Sequence, residues 1–203
     1  MSITIVGPSE APKDPKGDFP WFINTTSRSS NPFGREFSPF FLGPVVMYKG
    51  SPAGEALNVE NAWQFSKVYK KYVGEDGEPS NDWRVWARKG FRNPKAFRYP
   101  MGKGAIPEYS YWNGEKLSYI QARKKIYIPL YKTAIKQHRQ EPFKKLCNIY
   151  ERERRLTLWD YDGYNRKNLN MSPEEVVNNE ELTMGHAFVV EQLLLEHFGG
   201  ELE

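Results

Sequence analysis

The chain has 203 residues, 39% of them apolar and 15% aromatic, enough for one sizeable core. It offers no run of about 18 apolar residues to span a bilayer. Residues 1–8 lack the basic and then apolar pattern of a secretory leader, and the lone Cys147 has no partner for an internal disulfide, so a soluble, intracellular, cytoplasmic protein is expected.

The net charge of +4 conceals an asymmetry. Residues 121–155 carry eleven Lys/Arg against three Glu, while residues 156–203 carry two against ten Asp/Glu. Such a basic block fits either the solvated face of amphipathic helices or a surface for phosphate or nucleic acid.

Taken in order, residues 1–20 read as an irregular arm punctuated by Gly and Pro, followed by a short strand at Trp21–Asn24 and a polar loop containing Arg28. Glu36 to Tyr48 is an aromatic, Pro-broken turn leading into a strand near Val45–Tyr48. Asn58 has the chemistry of an N-cap, and the apolar spacing after it predicts a helix from Val59 to Tyr72. On that helix Glu60, Gln64 and Lys67 fall at i, i+4 and i+7, a polar stripe beside the core face. The stripe is either a solvated edge or a functional one.

Ser80 or Asn81 should cap a helix that stops at Gly90. Residues 91–114 read as a long aromatic loop, in which Gly102-Lys103-Gly104 could approach a phosphate. Ser118 and Gln121 form a capping-box pattern ahead of a basic helix with Arg123 and Lys124, and Pro129 must kink or restart it. Glu141-Pro142 opens another helix. Arg155 to Asp160 alternates as a strand and delivers Trp159, Asp160 and Asp162 into a polar turn, where Asp serves chemistry or simply the turn. Ser172 starts a short acidic helix, and Thr183 should cap the last one, Met184 to Phe198, stopped by Gly199-Gly200. The balance of helical periods against short strands predicts a single mainly helical α+β domain over residues 1–203, with a small β-sheet built from the strands near Trp21, Val45 and Leu156.

The order Phe37-Ser38-Pro39-Phe40, strand, loop, then Glu60-x-x-x-Gln64-x-x-Lys67 on a helix resembles the NADAR superfamily. That family includes an N-glycosidase acting on riboflavin-pathway intermediates and hydrolases that remove ADP-ribose from guanine bases. Its second signature is matched in part: Leu156 to Gly163 takes the place of the strand with an acidic turn, and Met184-Gly185-His186-Ala187 opens the last helix. The family's Trp-Gly pair is missing, Trp159 precedes the acids instead, and Asn165 to Glu181 is extra. The similarity runs loosely over residues 35–198 and is most specific at Phe37–Lys67.

The resemblance implies a NADAR-like fold and hydrolysis of an N-glycosidic bond in an ADP-ribosylated guanine or a related phosphoribosyl nucleotide, free or carried on single-stranded DNA or RNA. Cleaving C1′–N passes through an oxocarbenium-like state, which calls for a carboxylate and a donor to the leaving nitrogen. Glu60 is the first carboxylate and Asp160 or Asp162 the second, expected to converge on one pocket. Lys67 would hold substrate oxygens or keep Glu60 ionised. Gln64 would orient the base or sugar and Trp159 would stack on it. Arg28, Lys103 and Arg123 are the phosphate candidates, and Phe40, Gly163, Gly185 and His186 complete the substrate-binding set. His138, His186 and His197 are isolated, so no metal or cofactor is expected. Two other readings stand: a non-catalytic ADP-ribose or nucleotide reader, and a nucleic-acid-binding protein using the basic block.

Overall fold

The computed structural model describes residues 2–17 and 19–199. Its elements in chain order are β1 (Ser2–Val6), β2 (Phe22–Asn24), α1 (Pro32–Arg35), β3 (Val45–Val46), β4 (Glu55–Ala56), α2 (Val59–Phe65), β5 (Lys67–Val68), α3 (Asn81–Phe91), β6 (Tyr109–Trp112), β7 (Glu115–Leu117), α4 (Tyr119–Ala122), α5 (Ile128–His138), α6 (Gln140–Glu153), β8 (Arg155–Trp159), α7 (Pro173–Asn178) and α8 (His186–His197). The fold is mixed α+β, with helices predominating over small sheets. Among the described residues no helix is long and apolar enough to cross a membrane.

The chain groups into two compact units: a terminal unit, Met1–Ser38 with Ile135–Glu203, and a mid-chain unit, Pro39–Ala134. The terminal unit is built on a parallel sheet in the order β1-β8-β2. Leu156 and Leu158 of β8 alternate into the core with Ile3 and Ile5 of β1, and Trp159 closes the strand, 2% exposed. Helix α8 is apolar on nearly every side, burying Ala187, Phe188, Val189, Val190, Leu193 and Leu194, as a helix at the centre of a core must.

The mid-chain unit carries two small antiparallel sheets, β3-β4 and β5-β6-β7. A cluster of Leu117, Ala122 and Ile126 packs against Trp63, Trp112 and Leu130.

Several expectations need correction. Ser2–Val6, inside the arm read as irregular, is a strand, because Ile3 and Ile5 pair with the buried β8; Met1 and Asp18 of that arm lie outside the described residues. The strands near Trp21 and Leu156 do pair, but Val45–Val46 joins β4 in a separate sheet. The helix expected to reach Tyr72 ends at Phe65. There the Ser66 hydroxyl donates to the Trp63 carbonyl at 2.9 Å, and Lys67–Val68 pairs with Tyr109–Ser110. The Lys67 carbonyl accepts from Trp83 Nε1 at 3.0 Å. Sheet pairing thus takes backbone groups that a longer helix would have used.

Gly90 does not stop α3, which runs on to Phe91. Residues 91–114 are not all loop, since β6 and β7 form a hairpin whose two turn residues, Asn113 and Gly114, have φ of 49° and 85°. That is the left-handed pair a two-residue hairpin turn favours. Pro129 stands at the second position of α5, which a π-helical turn over Arg123–Tyr127 joins to α4. Proline removes one backbone donor, and the wider turn carries the chain through that gap. The last helix begins at His186 with Gly185, not Thr183, at its N-cap; Gly200 of the expected stop lies outside the described residues.

Candidate active site

The Asn58 side chain accepts from Asn61 N at 2.8 Å and so starts α2 as its sequence requires. This fixes Glu60 and Gln64 one turn apart, both buried, at 6% and 7% exposure. Gln64 Nε2 donates to Glu60 Oε1 at 3.0 Å, and Lys67 Nζ donates to Gln64 Oε1 at 2.8 Å. The polarity of this relay follows from chemistry alone. An ammonium only donates and an ionised carboxylate only accepts, so the amide must turn its oxygen to Lys67 and its nitrogen to Glu60.

The stripe is therefore not a solvated edge. Burial drives the Lys67 pKa down to about 8, against the smaller opposing pull of Glu60. The Lys67 ammonium also lies 4.9 Å from the Trp63 ring. Trp63 contacts Tyr119 at 6.2 Å between ring centroids, and the Arg123 guanidinium sits 4.2 Å from the centre of the Tyr119 ring. Arg123 is thus buried, at 1% exposure, with Nη2 donating to Tyr119 Oη at 2.9 Å. Arg123, one of the expected phosphate contacts, is a packed cation of the mid-chain unit. Asn61 ties down the chain after α3: its Nδ2 donates to the carbonyls of Asn93 and Lys95, and its Oδ1 accepts from Phe97 N, each at 2.9 Å.

In the terminal unit the sequence-predicted acids meet a histidine. Asp160 Oδ2 lies 2.9 Å from His186 Nδ1 and accepts from Ala187 N at 3.1 Å, while Asp160 Oδ1 accepts from Asp162 N at 3.4 Å. The other ring nitrogen, Nε2, is 2.8 Å from the Thr25 carbonyl. A carbonyl cannot donate, so Nε2 carries a proton; with a carboxylate facing Nδ1, the ring is an imidazolium in a buried ion pair. His186 and its bonds hold the Asp160 pKa below the carboxylate range in spite of burial, and Asp160 raises that of His186 in spite of the same burial.

Close packing around this pair also explains two glycines. A Cβ on Gly185 would stand 2.2 Å from Asp160 Oδ2, and one on Gly163 would stand 2.5 Å from the Val6 carbonyl. Gly185 brings no side chain to cap α8, and the Asp160 carboxylate, arriving from the end of β8, accepts from the first turn in its place.

The remaining candidates differ in their surroundings. Trp159 offers no stacking face: it is buried, with Nε1 donating to the Ala11 carbonyl at 2.9 Å and its ring edge-on to Tyr161. Arg28 and Lys103 are exposed, Lys103 between two glycines of positive φ; Phe40 and Asp162 are half-buried. Sequence reasoning missed the buried pair of Arg166 and Glu191, in which Nη2 and Nε lie 2.9 and 3.1 Å from Oε1. Its signal is Glu191 interrupting the apolar residues Phe188, Val189, Val190, Leu193 and Leu194 of α8. Among the described residues no cluster of three or more His, Cys, Asp or Glu is arranged to hold a metal ion.

The profile of a family of unknown function, DUF6939, matches residues 17–176, and the chain belongs to that family. No curated protein and no solved structure matches it.

Proposed function

We propose that this member of the DUF6939 family is an N-glycosidic bond hydrolase that removes ADP-ribose from a guanine base, with Glu60 and Lys67 at its chemical centre. The observation that carries the reading is the buried relay Glu60–Gln64–Lys67, with its ammonium tuned to about 8. The substrate class is supported by the resemblance of Phe37–Lys67 to the NADAR superfamily.

In this reading the Glu60 carboxylate faces C1′ of the ribose, stabilises the developing oxocarbenium ion and orients the attacking water. Water adds to C1′ and gives up a proton to Glu60 as the C1′–N bond breaks, and a proton passes to the departing base nitrogen. Lys67 is suited to supply it, because an ammonium near pKa 8 is charged at neutral pH yet far more acidic than a solvated lysine. Gln64 keeps the two apart and in register. Asp160, committed to His186 and to the start of α8, acts as a structural group rather than as the second catalytic carboxylate.

The test is hydrolysis of ADP-ribosyl-guanine, as nucleotide and in single-stranded DNA, with released ADP-ribose read by mass spectrometry. Glu60→Gln keeps the shape and removes the charge, and should lower kcat by roughly 100-fold or more with substrate binding largely kept. Wild-type turnover by Glu60→Gln would overturn the assignment. Binding of ADP-ribose with no cleavage by the wild-type chain would put the non-catalytic reader in its place.

A further inference from the structure

The terminal unit contains a cleft of about 560 Å³ that includes none of the Glu60 relay. This is within the range of about 300–1,000 Å³ typical of small-molecule sites. Phe22, Phe33 and Ile149 give it apolar walls. The Phe33 ring is braced edge-on by Phe37 at 5.5 Å. Lys145, Asn148 and Arg152 reach it from one face of α6, at i, i+3 and i+7.

The polar groups of the cleft divide into two kinds. On one side the Asp14 carboxylate is already engaged, accepting from Asn24 Nδ2 at 3.2 Å and Ser30 N at 3.5 Å, and lying 3.6 Å from Lys13. Asn24 Oδ1 is likewise taken, by the backbone and hydroxyl of Thr26. On the α6 side, Lys145 Nζ lies 4.7 Å from the Phe33 ring centre with no carboxylate in ion-pair range among the described residues. Arg152 gives Nε to Glu153, and among the described residues no acceptor meets the outer edge of its fork.

We propose that this cleft binds a phosphomonoester of a planar ring compound, of mononucleotide size. The ring packs on Phe33 and Phe22, and the phosphate lies between Lys145 and Arg152, the guanidinium giving paired N–H donors and the ammonium a point charge. Asn148 lies between the two cations on the same helix face and supplies a neutral donor. Among the described residues the one carboxylate lining the cleft, Asp14, accepts from Asn24 and Ser30 and pairs with Lys13, which offsets its charge toward the anion. The site is independent of the Glu60 chemistry.

The experiment is a titration of the 15N-labelled chain with adenosine 5′-monophosphate, adenosine and inorganic phosphate, followed by two-dimensional NMR. The monophosphate should perturb Phe33, Lys145 and Arg152 amides, with adenosine and phosphate each binding at least tenfold more weakly. Lys145→Glu with Arg152→Glu, both at exposed positions, should weaken the monophosphate at least tenfold while the rest of the spectrum stays folded. Lys71→Glu, a charge reversal in the other unit, and Glu60→Gln should leave it unchanged. Unchanged affinity in the Lys145/Arg152 variant, an equal loss with Lys71→Glu, or phosphate alone binding as tightly as the nucleotide would each overturn the proposal.

Discussion

His186 Nδ1 and Asp160 Oδ2 stand 2.9 Å apart in the interior of the terminal unit, and the second ring nitrogen is bonded to the Thr25 carbonyl. The pair joins the end of β8, the loop after β2 and the start of α8. Its contribution to stability has two edges in pH. His186 has its pKa raised from 6.5, so its share is fully present below about 6.5 and is lost as pH rises through the higher folded value. Asp160 has its pKa lowered from 3.8, so its share is present above about 3.8 and is lost as pH falls through the lower folded value. Urea melts of the wild type and of Asp160→Asn should therefore differ most between about pH 4 and 6.5, by roughly 3–5 kcal/mol, the cost of breaking a buried pair from one side. A gap that is flat from pH 4 to 10 would show that the pair is not ionised as described.

Arg166 and Glu191 form another buried pair, with side chains 14% and 4% exposed, and Arg166 Nη1 also donates to the Met171 carbonyl at 3.0 Å. Arg166→Ala leaves Glu191 charged on the apolar helix α8. The loss should be about 3 kcal/mol, seen as a fall in melting temperature of roughly 10 °C in a chain of this size. The double variant Arg166→Met with Glu191→Leu should recover most of it, since no charge is then stranded. Recovery no better than the single change would argue that the Met171 bond, not the pair, carries the effect.

What the sequence made legible was local chemistry. Asn58, Ser118 and Ser172 each cap the helix expected of them, because capping is decided within three residues. The alternation of Leu156 and Leu158 with Arg155 and Thr157 also emerges as a strand. Tertiary pairing was not legible. Lys67 leaves α2 because Ser110, 43 positions further on in the strand Tyr109–Trp112, takes its backbone, and no helical period records that competition. Yet the Glu60–Gln64–Lys67 contact survives the helix end, since Lys67 folds back within three residues of Gln64. Asp160 and His186 are 26 positions apart, and nothing local announces their pairing. The clash a Cβ would make at Gly185 is the physical reason for that glycine, visible only once the carboxylate is in place.

Gly90 shows the same lesson in packing. A Cβ there would lie 2.0 Å from Cδ1 of Phe65, so the Phe65 ring rests directly on the backbone of α3. Gly90→Ala gains helix propensity but forces the ring and its neighbours Trp86 and Phe97 to move. The net effect should be destabilisation of about 1–3 kcal/mol, the usual cost of overpacking. Thermal melts of Gly90→Ala alone and with Phe65→Leu separate the causes: relief by the smaller side chain is expected, and a stabilised single variant would contradict the contact.

Burial brings the pKa of the Lys67 ammonium down to about 8 in the folded chain, against 10.5 for an ordinary lysine. Below pH 8 both folded and unfolded chains bind the proton, and the folded state bears the full cost of burying it. Between about 8 and 10.5 the unfolded chain binds more protons, so stability rises with pH through that window. Lys67→Met removes the titration. Relative to this variant, the wild type should gain stability from pH 8 to 10.5 and show no relative change from pH 6 to 7. If Lys67 also serves as the acid, wild-type kcat on ADP-ribosyl-guanine should fall as pH rises through about 8, with the limb missing in the residual activity of Lys67→Met. A wild-type limb near 10, or a stability difference that does not vary between pH 8 and 10.5, would mean that the ammonium is not held in the buried relay with Gln64 and Glu60.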